Sequence, residues 1–277
     1  MKLTIITPSY NQGRFITDCI ESVAVQATDD TSIQVEHIVM DACSTDETVS
    51  ILNQYPHLKW ISEPDRGQSD AINKGVAMAL SDWVIWLNAD DYLLPGALRT
   101  IKELILQKPE CNLFYGHTIF VGEGGETIRR VYQILHRPAL ARFGLYSPPT
   151  SGTVFQTSLL RDHPLDISYH YVMDTEWFLR NGSLIQPCLV QDFTVAFRVW
   201  SGSKTGPSTL GGETCPQHQD ERVRYRERYI LTSLPRWLRS WQATILTTGR
   251  FCLLPEYYAK KVYALFVRRF VFSKKKR

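Results

Sequence analysis

Apolar runs that stop abruptly at polar corners set the rhythm of the first third of the chain. Leu3 to Thr7 is apolar and ends at Pro8; Val35 to Met40 ends at Asp41; Trp83 to Leu87 ends at Asn88-Ala89-Asp90-Asp91. Short apolar runs bounded by turn residues read as buried strands. Lys59 to Ser62 adds a short strand before the loop Glu63-Pro64-Asp65-Arg66-Gly67. Between these runs the period changes. Phe15, Cys19, Ile20 and Val23 recur at helical spacing, which predicts a helix from about Gln12. Ser44-Thr45-Asp46-Glu47 offers N-caps for a helix through Leu52, and further helices are predicted over Ser69 to Leu80 and Pro95 to Gln107, with Pro95 in the first turn.

Strands alternating with helices over about 110 residues predict βαβ units and a mostly parallel sheet. Such sheets take ligands at the carboxyl ends of their strands. Tyr10-Asn11, Asp41, Asp65 and Asn88 to Asp91 all follow strand ends, so they are expected to meet along one edge. Beyond residue 110 the pattern loosens. Strands are predicted within Asn112 to Val121, with a hairpin turn at Gly122 to Gly125, and again over Thr153 to Gln156. Ser147-Pro148-Pro149-Thr150-Ser151-Gly152 is a loop rich in breakers. Asp174 to Arg180 reads as one or two helical turns, Gln191 to Trp200 as extended, and Ser201 to Pro216 as a covering loop. From about Gln219 the chain reads as helical, with breaks at Pro235 and Pro255.

Composition narrows the classes. With 277 residues, 44% apolar and 21% charged, the chain suits one α/β domain with additions, or two small domains. A net charge of +3 argues against binding nucleic acid through the whole surface. The six cysteines form no CxxC pair and no zinc spacing, which suits free thiols in a reducing compartment. The seven histidines show no HxxxH spacing and read as core or surface residues. The N-terminus lacks the length of a signal peptide, and no run of about 18 apolar residues predicts a membrane span, so a cytoplasmic setting is expected.

The corner at Asp90-Asp91 carries the first chemistry. Adjacent carboxylates at the end of a buried strand repel, and a divalent cation is the usual neutraliser. Mg2+ or Mn2+ there would suit a phosphorylated substrate. A capped turn before the next helix is the alternative.

Thr7-Pro8-Ser9-Tyr10-Asn11, Asp41 with Ser44-Thr45-Asp46, Asp65-Arg66-Gly67 with Asp70-Ala71-Ile72-Asn73-Lys74-Gly75, and Asn88-Ala89-Asp90-Asp91 stand in the order seen in family 2 glycosyltransferases. The chain resembles that family closely over residues 3 to about 100, loosely over 147 to 205, and little over the last 60. The resemblance implies a GT-A fold, an α/β Rossmann-like sheet flanked by helices. It also implies a nucleotide-diphosphate sugar donor (a UDP-sugar favoured), inversion at the sugar carbon, a glycan or lipid-linked acceptor and bacterial cell-surface polysaccharide assembly. Residues 1–215 would then be the catalytic domain, with 1–110 the nucleotide-sugar half and 111–215 the acceptor half. Residues 216–277 would be a helical C-terminal extension.

The same resemblance assigns roles. Pro8, Tyr10 and Asn11 would line the base slot, and Asp41 would read the base edge, with an Asx turn or helix cap as its alternative. Asp65 and Gly67 would sit near the ribose or base, with a plain turn as the alternative. Asp70 would flank the donor, unless it merely pairs with Lys74 at i, i+4. Asn88 replaces the usual first acid of the family motif, so metal binding would rest on Asp90, with Asp91 as co-ligand or support and Ala89 beside the donor. Asp174 would be the base for the acceptor hydroxyl, with Glu176 as fallback and helix capping as the alternative. Trp177 would stack on an acceptor sugar or fill the core. Arg198 or Lys204 would meet phosphate, unless they are solvated surface charges. Trp200 stands where the family often has His.

Tyr257, Tyr258, Val262, Phe266 and Phe270 interleave with Lys260, Lys261, Arg268 and Arg269. This pattern suits either an amphipathic helix on an anionic membrane or a tail packed on the domain. Two rivals remain at this point. A nucleotidylyltransferase would want a Gly-rich basic loop after the first strand, but Thr7 to Gly13 has one Gly and no Lys. A catalytically degenerate nucleotide-sugar binder is favoured by Asn88.

Overall fold

The computed structural model describes residues 1–142, 146–204 and 215–229, without the side chains of 139 and 142. The first half alternates strictly: β1 (Lys2–Ser9), α1 (Ile16–Asp29), β2 (Gln34–Asp41), α2 (Thr48–Leu52), β3 (Lys59–Ser62), α3 (Gln68–Met78) and β4 (Trp83–Trp86). A two-residue strand β5 (Tyr92–Leu93) and α4 (Ala97–Gln107) follow. The second half has β6 (Leu113–Val121), β7 (Thr127–Val131), α5 (Pro138–Arg142), β8 (Thr153–Gln156), α6 (Thr157–Asp162), α7 (Met173–Arg180), β9 (Pro187–Arg198) and, last, α8 (Pro216–Tyr229).

The strands form one sheet in the order β3-β2-β1-β4-β8-β6-β9-β5, with β7 paired to β6. β3, β2, β1 and β4 are mutually parallel, as the alternation requires. β8 is antiparallel to both β4 and β6, whereas β6 and β9 pair in parallel. Adjacent residues of a strand point to opposite faces. Ile6, Trp86 and Phe155 thus join one core with Ile72, Val76 and Trp177, while Ile5, Ile85 and Val154 join another with Cys19, Leu98 and Ile101.

Two helix starts fall later than predicted, and one agrees. The Gln12 carbonyl accepts from Phe15 and Ile16 N–H, so Gln12 closes a turn and α1 begins at Ile16. α2 begins at Thr48 with Glu47, one of the four predicted candidates, as its N-cap residue, while Ser44 and Asp46 accept from Asn11 and Gly13 N–H. Pro95 stays outside α4 because Gly96, at φ 81°, turns the chain first.

One alternative resolves here. Trp177 is a core residue: it is buried against Phe155 and Phe178, and its indole N–H donates to the His163 carbonyl at 2.6 Å. Stacking on an acceptor sugar is thereby corrected. The described part of the C-terminal extension packs on the domain, with Tyr225 buried in the same core. The interleaved aromatic and basic residues from Tyr257 to Arg269 lie outside the described residues. Among the described residues no helix is long and apolar enough to cross a membrane.

Candidate active site

Parallel pairing aligns the carboxyl ends of neighbouring strands. Ser9 lies opposite Asp41, and Asp41 opposite Ser62. The loops leaving these ends wall a cavity of about 820 Å³, whose other side comes from Ser147 to Ser151, Tyr171 to Asp174 and Gly202 to Lys204.

On the first wall the structure brings Pro8, Tyr10, Asp65, Gly67, Asn88, Ala89 and Asp90 to the cavity. Tyr10 is 59% exposed, so its ring presents an open flat face. Gly67 has φ 101°, and a Cβ there would lie 2.6 Å from His170 Nδ1. Only glycine fits both the backbone and the space. The Asp65 carboxylate accepts the Gly67 N–H at 2.7 Å and so shapes this turn.

Asn11, Asp41 and Asp70 stand behind the wall rather than on it. Asp41 is buried and accepts from Ser44 N–H at 3.0 Å, from the Ser44 hydroxyl and from the Ser62 hydroxyl at 2.6 Å. It braces the turn whose Ala42 and Cys43 reach the cavity. Asn11 accepts from Thr45 N–H at 2.8 Å and ties that turn to β1. Asp70 accepts from Arg66 through N–H and guanidinium, with Lys74 at 3.5 Å. Burial pushes its pKa up, but the Arg66 hydrogen bonds and the two cations outweigh this and hold it below the usual carboxylate range.

The acidic corner is closed by hydrogen bonds. Asn88 Oδ1 accepts from the Trp86 indole and the Gln68 amide, both at 2.8 Å, and Asn88 Nδ2 donates to Asp91 at 3.1 Å. Asp91 also accepts the Arg198 N–H at 2.8 Å and is buried beneath the corner. An aspartate at position 88 would face Asp91 with two acceptors and two charges. The Asn88 amide accepts and donates within this network, a pairing an ionised aspartate would not make with an ionised Asp91.

Asp90 does face the cavity, accepting the Trp200 indole N–H at 3.0 Å. Burial raises the pKa of Asp90. Burial and the neighbouring Asp90 charge raise that of Asp91 well above the carboxylate range. Asp90 has no ion-pair partner among the described residues, and no cluster of three metal-ligating side chains occurs there. A half-buried carboxylate with no ion pair, facing the cavity, suits a divalent cation whose remaining ligands are phosphate and water. The residues thus fit Mg2+ or Mn2+ through Asp90, while Asp91 supports the corner from behind.

Two basic residues diverge. Arg198 is buried away from the cavity: its guanidinium pairs with Asp18 at 2.5 Å, donates to the Glu123 carbonyl and lies over the Phe15 ring. A phosphate contact is corrected to a structural pair. Lys204 lines the cavity and donates to Gln68 Oε1 and the His170 carbonyl, each at 3.0 Å. Desolvation of its ammonium lowers the Lys204 pKa, opposed by the charges of Glu221, Asp65, Asp174 and Asp90.

Asp174 enters from the opposite wall, in the first turn of α7. One oxygen accepts from the Thr150 hydroxyl at 2.7 Å and the other from Thr175 N–H at 2.6 Å. Glu176 points into the fold, fully buried, and accepts from Arg180 Nε at 2.8 Å and the Tyr229 hydroxyl at 2.6 Å. The fallback base is thereby excluded. Sequence reading missed Thr150, although its breaker-rich loop signalled a site. It also missed Gln68 and Trp200 as partners of the acidic corner, because those bonds span 20 and 110 residues.

A mostly parallel sheet flanked by helices, with a strand-end cavity over an acidic corner, is the architecture of GT-A glycosyltransferases. The fold is similar to TarS of S. aureus, solved with UDP-GlcNAc (TM-score 0.60, 17% identity, 84% of this chain and 74% of that one). It is also similar to glucosyl-3-phosphoglycerate synthase of Mycobacterium tuberculosis, solved with Mn2+, UDP and glucosyl-3-phosphoglycerate (TM-score 0.57, 19% identity, 84% and 81%). The chain belongs to glycosyl transferase family 2, whose model matches residues 4–168. Its relatives include the uncharacterized glycosyltransferase YibD of Escherichia coli K12, 32% identical over 58% of this chain and 49% of that protein. A PGL/p-HBAD biosynthesis glycosyltransferase of Mycobacterium bovis BCG is 29% identical over 64% of this chain and 68% of its own. The match thus spans about half of the first relative and about two thirds of the second.

Proposed function

We propose that the protein transfers a sugar from a nucleotide-diphosphate sugar, a UDP-sugar favoured, to a hydroxyl of a glycan or lipid-linked acceptor, with inversion, in polysaccharide or glycoconjugate assembly. The observation that carries this reading is one cavity holding Asp90 on the donor wall and Asp174 on the opposite wall. Tyr10 and the Ala42-Cys43 turn supply a slot for a base, and Asp65 and Gly67 border the ribose. Asp174 takes the proton of the acceptor hydroxyl as that oxygen bonds to the anomeric carbon, and the sugar–phosphate bond breaks on the far side. Thr150 holds the Asp174 carboxylate in line. Lys204 meets the leaving diphosphate, whose charge its ammonium would offset. Asp90 would hold Mg2+ or Mn2+, which when bound neutralises leaving-group charge.

The neighbours support the donor class: glucosyl-3-phosphoglycerate synthase was solved with UDP and Mn2+, and a Pyrobaculum calidifontis mannosyltransferase with GDP-Man and Mn2+ (TM-score 0.56, 15% identity). The hydrogen bonds that Asn88 makes to Trp86 and Asp91 give it a place in the corner and support the enzymatic reading over a degenerate binder.

The test is release of nucleoside diphosphate from UDP-glucose, UDP-galactose, UDP-GlcNAc and GDP-mannose, with and without Mn2+. Asp174→Asn is expected to lower turnover about 10²–10⁴-fold while donor binding persists. Asp90→Ala is expected to remove the Mn2+ dependence of donor binding. Unchanged turnover in Asp174→Asn sinks the base assignment, and persistent metal dependence in Asp90→Ala sinks the metal site.

A further inference from the structure

The loop that leads into α7 contains three consecutive backbone N–H groups aimed at one side chain. Glu221, on α8, accepts from His170 N–H at 2.9 Å, Tyr171 N–H at 2.7 Å and Val172 N–H at 3.2 Å. The Glu221 side chain belongs to a residue only 4% exposed. The N-cap residue of α7 is Val172, whose side chain makes no capping hydrogen bond. The carboxylate that gathers the chain just ahead of Asp174 therefore arrives from about fifty residues downstream, beyond the stretch 4–168 that matches the family model.

The same helix grips the segment elsewhere. His218 stacks on Tyr171, with ring centroids 5.2 Å apart and planes at 9°, and Tyr171 lines the cavity. Arg224 donates to the Ser168 carbonyl at 2.6 Å and lies over the Tyr169 ring. Tyr225 is buried in the core, and Tyr229 bonds Glu176 at the far side of α7. Of these contacts, the Glu221 carboxylate acts on the backbone two residues from Asp174.

We propose that Glu221 is a positioning residue: it fixes the backbone of His170 to Val172 so that Asp174 and the Tyr171 wall stand in the geometry the transfer needs. The inference rests on Asp174 being the base. A charged acceptor satisfying three donors is among the stronger hydrogen-bonding arrangements, and it holds a short segment without needing a rigid element around it. Misplacement of a reacting group by about 1 Å can cost about 10²-fold in rate, which is the scale Glu221 protects. Glutamine keeps the size but loses charge, and its amide group turns N–H donors toward N–H donors.

The test uses the full chain with UDP-GlcNAc, UDP-glucose and Mn2+, measuring diphosphate release. Glu221→Gln is expected to lower kcat about 10- to 100-fold, with the donor KM changing less than kcat, because Tyr10, Asp65 and Asp90 are untouched and only Lys204, held by the His170 carbonyl, links Glu221 to the donor. In an Asp174→Asn background the same substitution is expected to cost under about twofold, since both changes remove one function. Tyr229→Phe, which loosens the far end of α8 without touching residues 170 to 172, is expected to keep kcat within about twofold. Glu221→Asp retains the charge on a shorter arm and is expected to recover part of the loss.

The proposal is overturned if the Glu221→Gln loss persists undiminished in the Asp174→Asn background. Matching losses in Tyr229→Phe and Glu221→Gln would also overturn it, by reducing α8 to a packing element. Wild-type turnover in Asp174→Asn would overturn the base assignment instead, and the cycle separates the two failures. If Glu221→Gln fails to fold, amide exchange of residues 170 to 172 in Glu221→Asp decides: protection equal to wild type with lowered kcat overturns the proposal.

Discussion

The two halves of the cavity are built by different means. On the donor wall, the contributing residues follow the ends of parallel strands, and the bonds that brace them run to the neighbouring strand end (Asn11 to Thr45, Asp41 to Ser62) or stay within one loop (Asp65 to Gly67). On the acceptor wall, the bonds join elements that are not successive strand ends: Thr150 to Asp174 and Glu221 to residues 170 to 172. A further closure of this kind, Trp200 to Asp90, reaches the donor wall from just past β9. A parallel β/α repeat converts sequence order into spatial order, so its site is local in pattern. The antiparallel half relies on long-range closures, and its site exists only once these have formed.

The sharpest blow to that contrast would come from α7. Trp177→Ala is expected to cost about 3–5 kcal/mol, because it empties a core position and removes the indole bond to His163. Urea titration measures this, and a loss under about 1 kcal/mol would return Trp177 to the surface role once considered for it. The donor half is probed next by Gly75→Ala. A Cβ there would lie 2.5 Å from Ile6 Cγ2, so α3 would be pushed off β1. A cost of about 1–3 kcal/mol is expected, and neutrality would show that the donor half yields more readily than its packing suggests.

The smallest effect is electrostatic and belongs to the donor sheet. Burial lowers the His37 pKa to about 3, with its Nε2 at 2.9 Å from the Thr7 hydroxyl, and lowers that of His136 to about 4. The unfolded chain takes up protons that the folded chain refuses, so stability is full above about pH 6.5 and is lost as pH falls toward these values. Between pH 7.5 and 6 each histidine is expected to account for a little under about 1 kcal/mol. Chemical denaturation of His37→Gln across that range should show about half the wild-type slope; an unchanged slope would mean that His37 is protonated in the fold.

Legibility follows the same division. The strand ends at Pro8, Asp41, Asp65 and Asn88 to Asp91 were visible as apolar runs meeting polar corners, and the structure does gather them on one edge. Which of them face the cavity was not visible, because Asp and Asn brace turns and bind ligands with the same atoms. Asp41, Asp70 and Asp91 proved to be braces, whereas Asp65 and Asp90 reach the cavity. β5 was missed because two residues carry no period; α8 was legible as a helix from about Gln219, but the partners of its inward stripe, His218, Glu221, Tyr225 and Tyr229, were not, because that stripe is mostly polar.

Alternation of apolar runs with helical spacing determined the parallel sheet, its edge and the order of donor-wall residues, since period and turn chemistry are local properties. The tertiary structure decided the rest. It gave Asn88 a place as an amide bonded to the buried Asp91, and turned Arg198 from a phosphate contact into the buried partner of Asp18. It also delivered Glu221 to the backbone beside Asp174. Burial and long-range hydrogen bonding set the role of a polar residue, and neither is written in its immediate neighbours.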